Sequence, residues 1–456
     1  MPQDKTAPLS TWRLAAFAAP CIPVAAMLMP VTVYLPNYYA KDLGVDLRAI
    51  GFAFAMVRLF DLWLDPALGF LIDKTNTRFG RFRPWLVGGL PIAVLAIWML
   101  FMARPGIDGA YILTWLVMGY LGQSMATMAH VTWAARLAPD YSQRARVFGW
   151  WQGFVVLGML IVLAMPPMMK FGFGLDYASG IRAMGWFVLI SLPLAVLLAL
   201  LTVREPAAPP HHQPPRLRQY LALIRRPSVL RLLAVDILLQ TGPVIGGTLF
   251  FFYFEAMRGY DRSAAGLLLL LYFAGGLAGA PLWSRLGQRI GKHNALAIAA
   301  VAYAVAQGSV LIAPHGLIWG VITMTLAGVP FAAANILLRA MMADIADEER
   351  LASGVDRSGL LFGLLSGTVK IGSAAAVFLA ANLLKDFGFE ARLGAANNGQ
   401  ALLALSLTFA LAPAVLALIG AAVLRGHRLD QAAHDEIRRQ LELKDSGRGD
   451  ALDIVQ

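Results

Sequence analysis

Residues 58–73 read "RLFDLWLDPALGFLID". One arginine and three aspartates stand in an otherwise apolar stretch, and how they are read decides the fold. Arg58, Asp61 and Asp65 are spaced by three and four. On an α-helix that spacing puts them on one face, one above another. A charge that faces lipid costs several kcal/mol. If this helix crosses a membrane, the charged face must turn inward.

The rest of the chain says that it crosses. Of 456 residues, 58% are hydrophobic and 14% charged, against about 25% charged in an ordinary soluble domain. The mean hydropathy is +0.64. A spanning helix needs ~20 mostly apolar residues. Twelve such runs occur, near 13–39, 46–72, 84–104, 110–137, 145–169, 181–203, 229–256, 263–285, 294–313, 317–343, 357–384 and 399–424. The expected fold class is an all-α polytopic membrane protein with twelve transmembrane helices. The polar N-terminus runs into the first apolar run with no small-residue cleavage site, so that run is expected to stay as a helix.

Between the halves lies "REPAAPPHHQPPRLRQYLALIRRPS", rich in proline and arginine and too polar to span. It is expected to connect them, with a short surface helix at 216–224. The expected division is 1–203 and 229–425 for the two six-helix bundles, 204–228 for a cytoplasmic linker and 426–456 for a cytoplasmic tail. The net charge of +11 does not point to nucleic acid, because the basic residues gather in short loops. Lys74, Arg78, Arg81 and Arg83 follow the second run; Arg144 and Arg146 follow the fourth, close to Arg136. Arg204, Arg216, Arg218, Arg225 and Arg226 lie between the halves, and Arg285, Arg289 and Lys292 follow the eighth run. Elsewhere base is balanced by acid, as for Lys41 and Arg48 beside Asp42 and Asp46. By the positive-inside rule both termini face the cytoplasm. Cys21 is the sole cysteine, which excludes an intramolecular disulfide and CxxC motifs. No GxSxG elbow, HExxH or Walker A loop is present, and His211 and His212 lack metal-ligand spacing. The chain therefore reads as no enzyme and as needing no cofactor.

Arg58 can pair with either aspartate of its face. Two carboxylates sharing one cation make a site for a proton or Na⁺, since close spacing favours protonation of at least one. The alternative is a structural salt bridge between helices. Lys370 lies deep in the eleventh run, in "SGTVKIGSA". A buried lysine needs an anionic partner, and an aspartate of the second run would join the two halves; the alternative is snorkelling to an interface. Gln123, Thr127 and His130 fall on one face of the fourth run and read either as cavity-lining residues or as helix-to-helix hydrogen bonds. Thr127 can also give an oxygen to a cation held by the second run. Trp133, Trp150, Trp151 and Gln152 sit near the ends of the fourth and fifth runs. There an aromatic can stack on a ligand, although an interfacial tryptophan belt accounts better for most of them. Tyr34, Asn37 and Tyr38 lie late in the first run. In the seventh run Asp236 reads as near-surface, and Gln240 and Thr241, beside Gly242 and Pro243, read as cavity residues. Asn335 in the tenth is a weaker candidate.

The halves echo each other. "DPALGFLIDKTNTRFGRFRP" has a weak counterpart in "APLWSRLGQRIGKHN", and "ARLAPDYSQRARVFGWWQG" in "MMADIADEERLASGVDRSGLLFG". Six plus six helices with parallel repeats is the architecture of the major facilitator transporters, with the substrate near the bilayer midplane. "RLFDLWLDPALGFLIDKTNTRFGRFRPW", "DYSQRARVFGW" and "MMADIADEERLASGVDRSGLLFGLLSGTVKIGSA" together resemble the glycoside–pentoside–hexuronide:cation symporters, the family of the melibiose permease. The resemblance implies cation-coupled uptake of a small solute by alternating access. Asp61 and Asp65 match that family's cation-carrying aspartates, Arg58 the arginine beside them, Thr127 a nearby hydroxyl and Lys370 the lysine of helix eleven. Asp73, Arg78, Gly80 and Arg81 match a cytoplasmic gate loop.

Departures from the pattern bear on the ion and the substrate. Sodium-using sugar members carry an asparagine just before the second aspartate; here that position is Leu64, which favours H⁺ over Na⁺ as the coupling ion. Ala25 and His130 fall where the melibiose permease has sugar-binding acids, and that family's helix-five arginine has no obvious equivalent around Trp151 and Gln152. The candidate substrate residues are therefore Tyr34, Tyr38, Gln123, His130, Trp151, Gln152, Gln240, Thr241 and Asn335. The expected protein is a monomeric H⁺-coupled transporter of a sugar or glycoside in a bacterial cytoplasmic (inner) membrane. Its partners are a small solute and the lipid bilayer, with no nucleic acid. The alternative cargo is a lysolipid-like amphiphile or another non-sugar solute. A non-transporting sensor would need a signalling domain, and the tail is too short to be one.

Overall fold

The computed structural model describes residues 10–137, 141–203, 205, 223–354 and 357–425, with 436–437, 439–441 and 443. The proposed surface helix before residue 223, His211, His212 and most of the tail lie outside the described residues, as do the side chains of Asp73, Arg136 and Arg144.

Prolines and polar caps cut the apolar chain into helices. The first run, Thr11–Lys41, is broken at Pro20 and Pro30 into α1 (Thr11–Ala18), α2 (Cys21–Met29) and α3 (Leu35–Lys41), with a π turn at Pro30–Tyr34. There follow α4 (Leu47–Lys74), α5 (Arg83–Phe101), α6 (Gly109–Leu137), α7 (Tyr141–Pro167), a π turn at Met168–Gly172, and α8 (Tyr177–Thr202). The second half carries α9 (Pro227–Arg258), α10 (Arg262–Ile290), α11 (Lys292–Ser309), α12 (Leu317–Ser353), α13 (Ser358–Asp386), a 3₁₀ turn at Ala391–Ala396, and α14 (Gly399–Leu424). Among the described residues nine segments are long and apolar enough to cross a membrane; α4, α6 and α11 are not among them. Asp46 caps α4 by accepting from the Arg48 and Ala49 amides, and Asp176 caps α8 by accepting from Ser179. Such caps satisfy donors that a helix start leaves open.

The helices form two compact units. Unit 1 holds Met1–Gln213, Phe250–Leu270 and Ala381–Asn398; unit 2 holds Pro214–Leu249, Leu271–Ala380 and Gly399–Gln456. Unit 1 therefore includes the end of α9, the start of α10 and the end of α13. Ion pairs link these segments to the rest of unit 1. Lys41 binds Glu255, Asp42 takes the Arg262 guanidinium on both oxygens, Arg48 binds Asp386, and Lys385 bridges Asp46 and Glu390. Burial works against the charged form of Asp46, but Lys385 and the Arg48 and Ala49 amides outweigh it and hold the carboxyl below its ordinary value.

At the other end of unit 1, α5 and α8 cap each other. The Glu205 carboxylate accepts from the backbone amides of Arg81, Phe82 and Arg83 at the start of α5. Arg83 donates to the carbonyls of Leu200 and Val203 at the end of α8. Each charge sits at the helix end whose dipole it opposes. Gly80 makes room for this: its φ is +107°, and a Cβ there would stand 2.2 Å from Glu205 Oε2. Further along, α5 and α6 touch backbone to backbone. A Cβ on Gly89 would lie 2.7 Å from the Gly122 carbonyl oxygen, and one on Gly122 2.8 Å from that of Gly89.

In unit 2 the core joins Leu232, Trp283, Tyr303, Leu337, Met341, Leu361 and Ala417, drawn from α9 to α14. Glu349, buried near the end of α12, takes both Arg226 and Arg357, and Lys292 binds both oxygens of Asp344.

Two outcomes test these end contacts. Glu205→Ala removes the cap of α5 and is expected to cost about 1–2 kcal/mol, seen as a lower melting temperature by tryptophan fluorescence. Asp46→Asn keeps the cap of α4 but loses the charge. Because the folded-state value of Asp46 is lowered, its contribution holds above the ordinary carboxylate range and fades as pH falls. The variant should melt below the parent at neutral pH and with it at pH below about 3.

Candidate functional site

The charged face of α4 is turned away from its exposed face. Phe52, Leu59, Trp63 and Phe70 form the exposed stripe, with Trp63 76% accessible, whereas Asp61 is 4% accessible and Arg58 and Asp65 are half-buried. Helical geometry gives this directly, since the exposed four and the charged three fall on opposite sides of a 3.6-residue repeat. Pro66, one residue past Asp65, has no N–H and so withholds the usual helix bond from the Leu62 carbonyl.

The neighbour on the buried side is α6. Its Ser124 hydroxyl donates to Asp61 Oδ1 at 3.1 Å. Tyr120, one turn earlier, lies under Arg58, whose guanidinium carbon is 5.0 Å from the ring centroid. Tyr120, Gln123, Ser124 and Thr127 follow a spacing of three, one and three, which makes one stripe on α6. The Tyr120 hydroxyl, Gln123 Oε1 and Thr127 Oγ1 are buried and have no hydrogen-bond partner among the described residues. So a carboxylate on α4, with a second one turn further along the same face, meets a strip of α6 that carries several oxygens, chemistry that suits a proton or a small hard cation. Gln123 and Thr127 are legible in the sequence as polar letters in an apolar run. Ser124 and Tyr120 are missed by that reading, although Tyr120 and Ser124 lie i,i+4 and Ser124 and Thr127 i,i+3.

His130 continues the stripe in sequence but has other partners. It is 3% accessible, with Nε2 2.7 Å from the Phe17 carbonyl oxygen and its ring between Phe17 and Trp151, at 4.5 and 4.3 Å. This is a helix-to-helix contact. Trp133 is likewise fully buried, edge-on to Phe17, and is not part of an interfacial belt. Gln152 is exposed and Trp151 half-buried. In the loop after α4, Arg78 lies over the Phe79 ring, while Arg81 is buried with Nε on the Thr75 carbonyl.

Tyr34, Asn37 and Tyr38 are all buried in unit 1. In unit 2, Gln240 on α9 donates to Asn335 Oδ1 on α12 at 3.1 Å, joining two residues expected separately. Thr241 Oγ1 is buried without a hydrogen-bond partner. Asp236 corrects an expectation: it is 1% accessible rather than near-surface, and the Thr368 hydroxyl on α13 donates to it. The misreading came from counting turns along α9, which does not reveal that α13 covers it. Lys370 is two residues beyond Thr368 on the same helix.

Residues 16–431 match the sequence profile of the MFS/sugar transport protein family. A glucuronide carrier protein homolog of Escherichia coli (strain K12) is 25% identical over 89% of this chain and 90% of its own. A sodium-dependent lysophosphatidylcholine symporter 1-B of Danio rerio is 22% identical over 94% and 90%. The crystal structure of the nucleoside transporter NupG superposes with a TM-score of 0.66 at 14% identity, covering 91% of this chain and 99% of that one, a likeness of fold. These relatives are transporters and not enzymes. With nearly its whole length matched, the chain belongs to the MFS/sugar transport protein family.

Proposed function

We propose that this protein is an H⁺-coupled transporter of a sugar or glycoside, working by alternating access in a bacterial cytoplasmic membrane with both termini inside. The observation that carries the reading is the buried face of Asp61 and Asp65 set against Ser124, Gln123 and Thr127. The nine apolar segments are joined by α4, α6 and α11 to make twelve spans in two halves, 1–203 and 229–425. Those three fall short on apolarity or length, and an inward charged or polar face explains why for α4 and α6.

In this reading the two carboxylates load a proton from one side and release it to the other. Arg58 offsets their charge when the proton leaves, and Thr127 and Lys370 belong to the same machinery. Leu64 supports the choice of H⁺, because it brings no oxygen where a sodium site would want one. The loop with Asp73, Arg78, Gly80 and Arg81 is proposed as the cytoplasmic gate, hinged where Glu205 grips the start of α5. The protein works as a monomer with no cofactor beyond the coupling ion. A second reading, transport of a lysolipid-like amphiphile, is favoured by the relative named for lysophosphatidylcholine.

Proteoliposomes test the coupling. Asp61→Asn is expected to abolish accumulation driven by a pH gradient while leaving exchange across equal solutions; accumulation that survives it overturns the assignment. Sodium is expected to leave the parent unaffected and to stimulate Leu64→Asn, which restores an oxygen beside Asp65. Stabilisation of the purified protein by lysophosphatidylcholine, but by no glycoside, would favour the second reading.

A further inference from the structure

A second cluster of unsatisfied polar groups lies in unit 1, away from α4. The Leu35 amide bonds the Pro30 carbonyl, closing a π turn between α2 and α3. π turns in helices often mark functional sites. Past this one, Tyr34 and Asn37 are three apart and share a face. Tyr34 is fully buried and Asn37 is 1% accessible. The Tyr34 ring lies 4.7 Å from Phe251 on α9, and 6.5 Å from Tyr177 on α8, inclined by 18°. Its hydroxyl is 3.4 Å from where a Cβ on Gly266 of α10 would stand. Asn37 falls between Tyr34, which meets Phe251, and Lys41, which pairs with Glu255 four residues on. Asn37 thus stands between two residues that contact α9.

The Tyr34 hydroxyl, the Tyr177 hydroxyl and both ends of the Asn37 amide are buried with no hydrogen-bond partner. Roughly nine in ten buried polar groups are satisfied, so four orphan atoms at one junction call for a ligand. The chemistry narrows its class. An amide gives two donors and an acceptor, and each phenol gives one donor and accepts. Ring faces beside them suit an apolar sugar face. Of the nearby cations, Lys41 is paired with Glu255 and Arg262, 4.2 Å over the Tyr177 ring, with Asp42, while Arg182 donates to the Ser179 hydroxyl beside Asp176. Each has an acidic neighbour, which favours a neutral ligand over an anion.

We propose that Asn37, Tyr34 and Tyr177 form a subsite for the hydroxyl groups of a neutral saccharide, closed in this structure by Phe251 and Gly266. It rests on the saccharide reading above and adds Asn37 and Tyr177 to the substrate residues. The subsite is filled when the α9 and α10 ends part from α3, and its orphan groups then gain the partners they lack.

Thermal unfolding of the purified full chain tests this with methyl β-D-glucopyranoside, methyl β-D-xylopyranoside and sodium D-glucuronate as probes. A neutral glycoside is expected to raise the melting temperature of the parent. Asn37→Leu and Tyr34→Phe are expected to raise the concentration for half that shift at least tenfold. Asn37→Leu without probe should melt at or above the parent, since it replaces an orphan amide with an apolar group. Should it fail to fold, Tyr34→Phe, which removes one oxygen, carries the test. Stabilisation unchanged in both variants overturns the subsite and leaves bound water as the occupant. Stronger stabilisation by glucuronate overturns the neutral class. Stabilisation of the parent by none of the three overturns the saccharide reading itself, and this ligand class with it.

Discussion

A carboxylate in the middle of an apolar helix sets the terms for everything beside it. Asp61 cannot face lipid, so α4 must be rotated to bury it, and the helix it is buried against must answer with donors. The answer is α6, through the Ser124 hydroxyl. The rotation that hides Asp61 also leaves Trp63 and Phe70 outermost. One charged residue thus decides the orientation of a 28-residue helix, and with it which residues of α6 can matter. The oxygens on that strip of α6 are more numerous than Asp61 alone requires.

The helix ends follow a different economy. Where chain leaves the apolar region, charge is plentiful and is spent on tying segments distant in sequence. Lys385 serves Asp46 and Glu390 at once, and Glu349 takes two arginines. Exposed pairs such as Arg48 with Asp386 contribute little singly, whereas Glu349 is buried between its arginines. Within unit 1 several such pairs link the ends of α9, α10 and α13 to its N-terminal part.

Much of this was legible before the structure. The inward face of α4 follows from period and cost alone, and the membrane class follows from twelve apolar runs. What was not legible depends on neighbours. Lys41, Asp42, Asp46 and Arg48 look self-balancing in sequence, yet each finds a partner more than two hundred positions away. His130 shares its helix face with Thr127, but a carbonyl from α1 takes its ring. Ser124 escaped notice because serine in an apolar helix commonly bonds its own backbone. Asp236 was placed by its distance from a helix end, which says nothing about the Thr368 hydroxyl waiting on α13. In each case periodicity gave the face and only tertiary packing gave the partner.

The glycine seam between α5 and α6 carries a mechanical meaning. At Gly89 and Gly122 backbone meets backbone, with Met125 beside them, so α5 and α6 have little room to approach further. The start of α5 is bolted to α8 by Glu205 and Arg83. Contacts therefore run without a break from the Asp61 carboxylate through α6 and α5 to the end of α8.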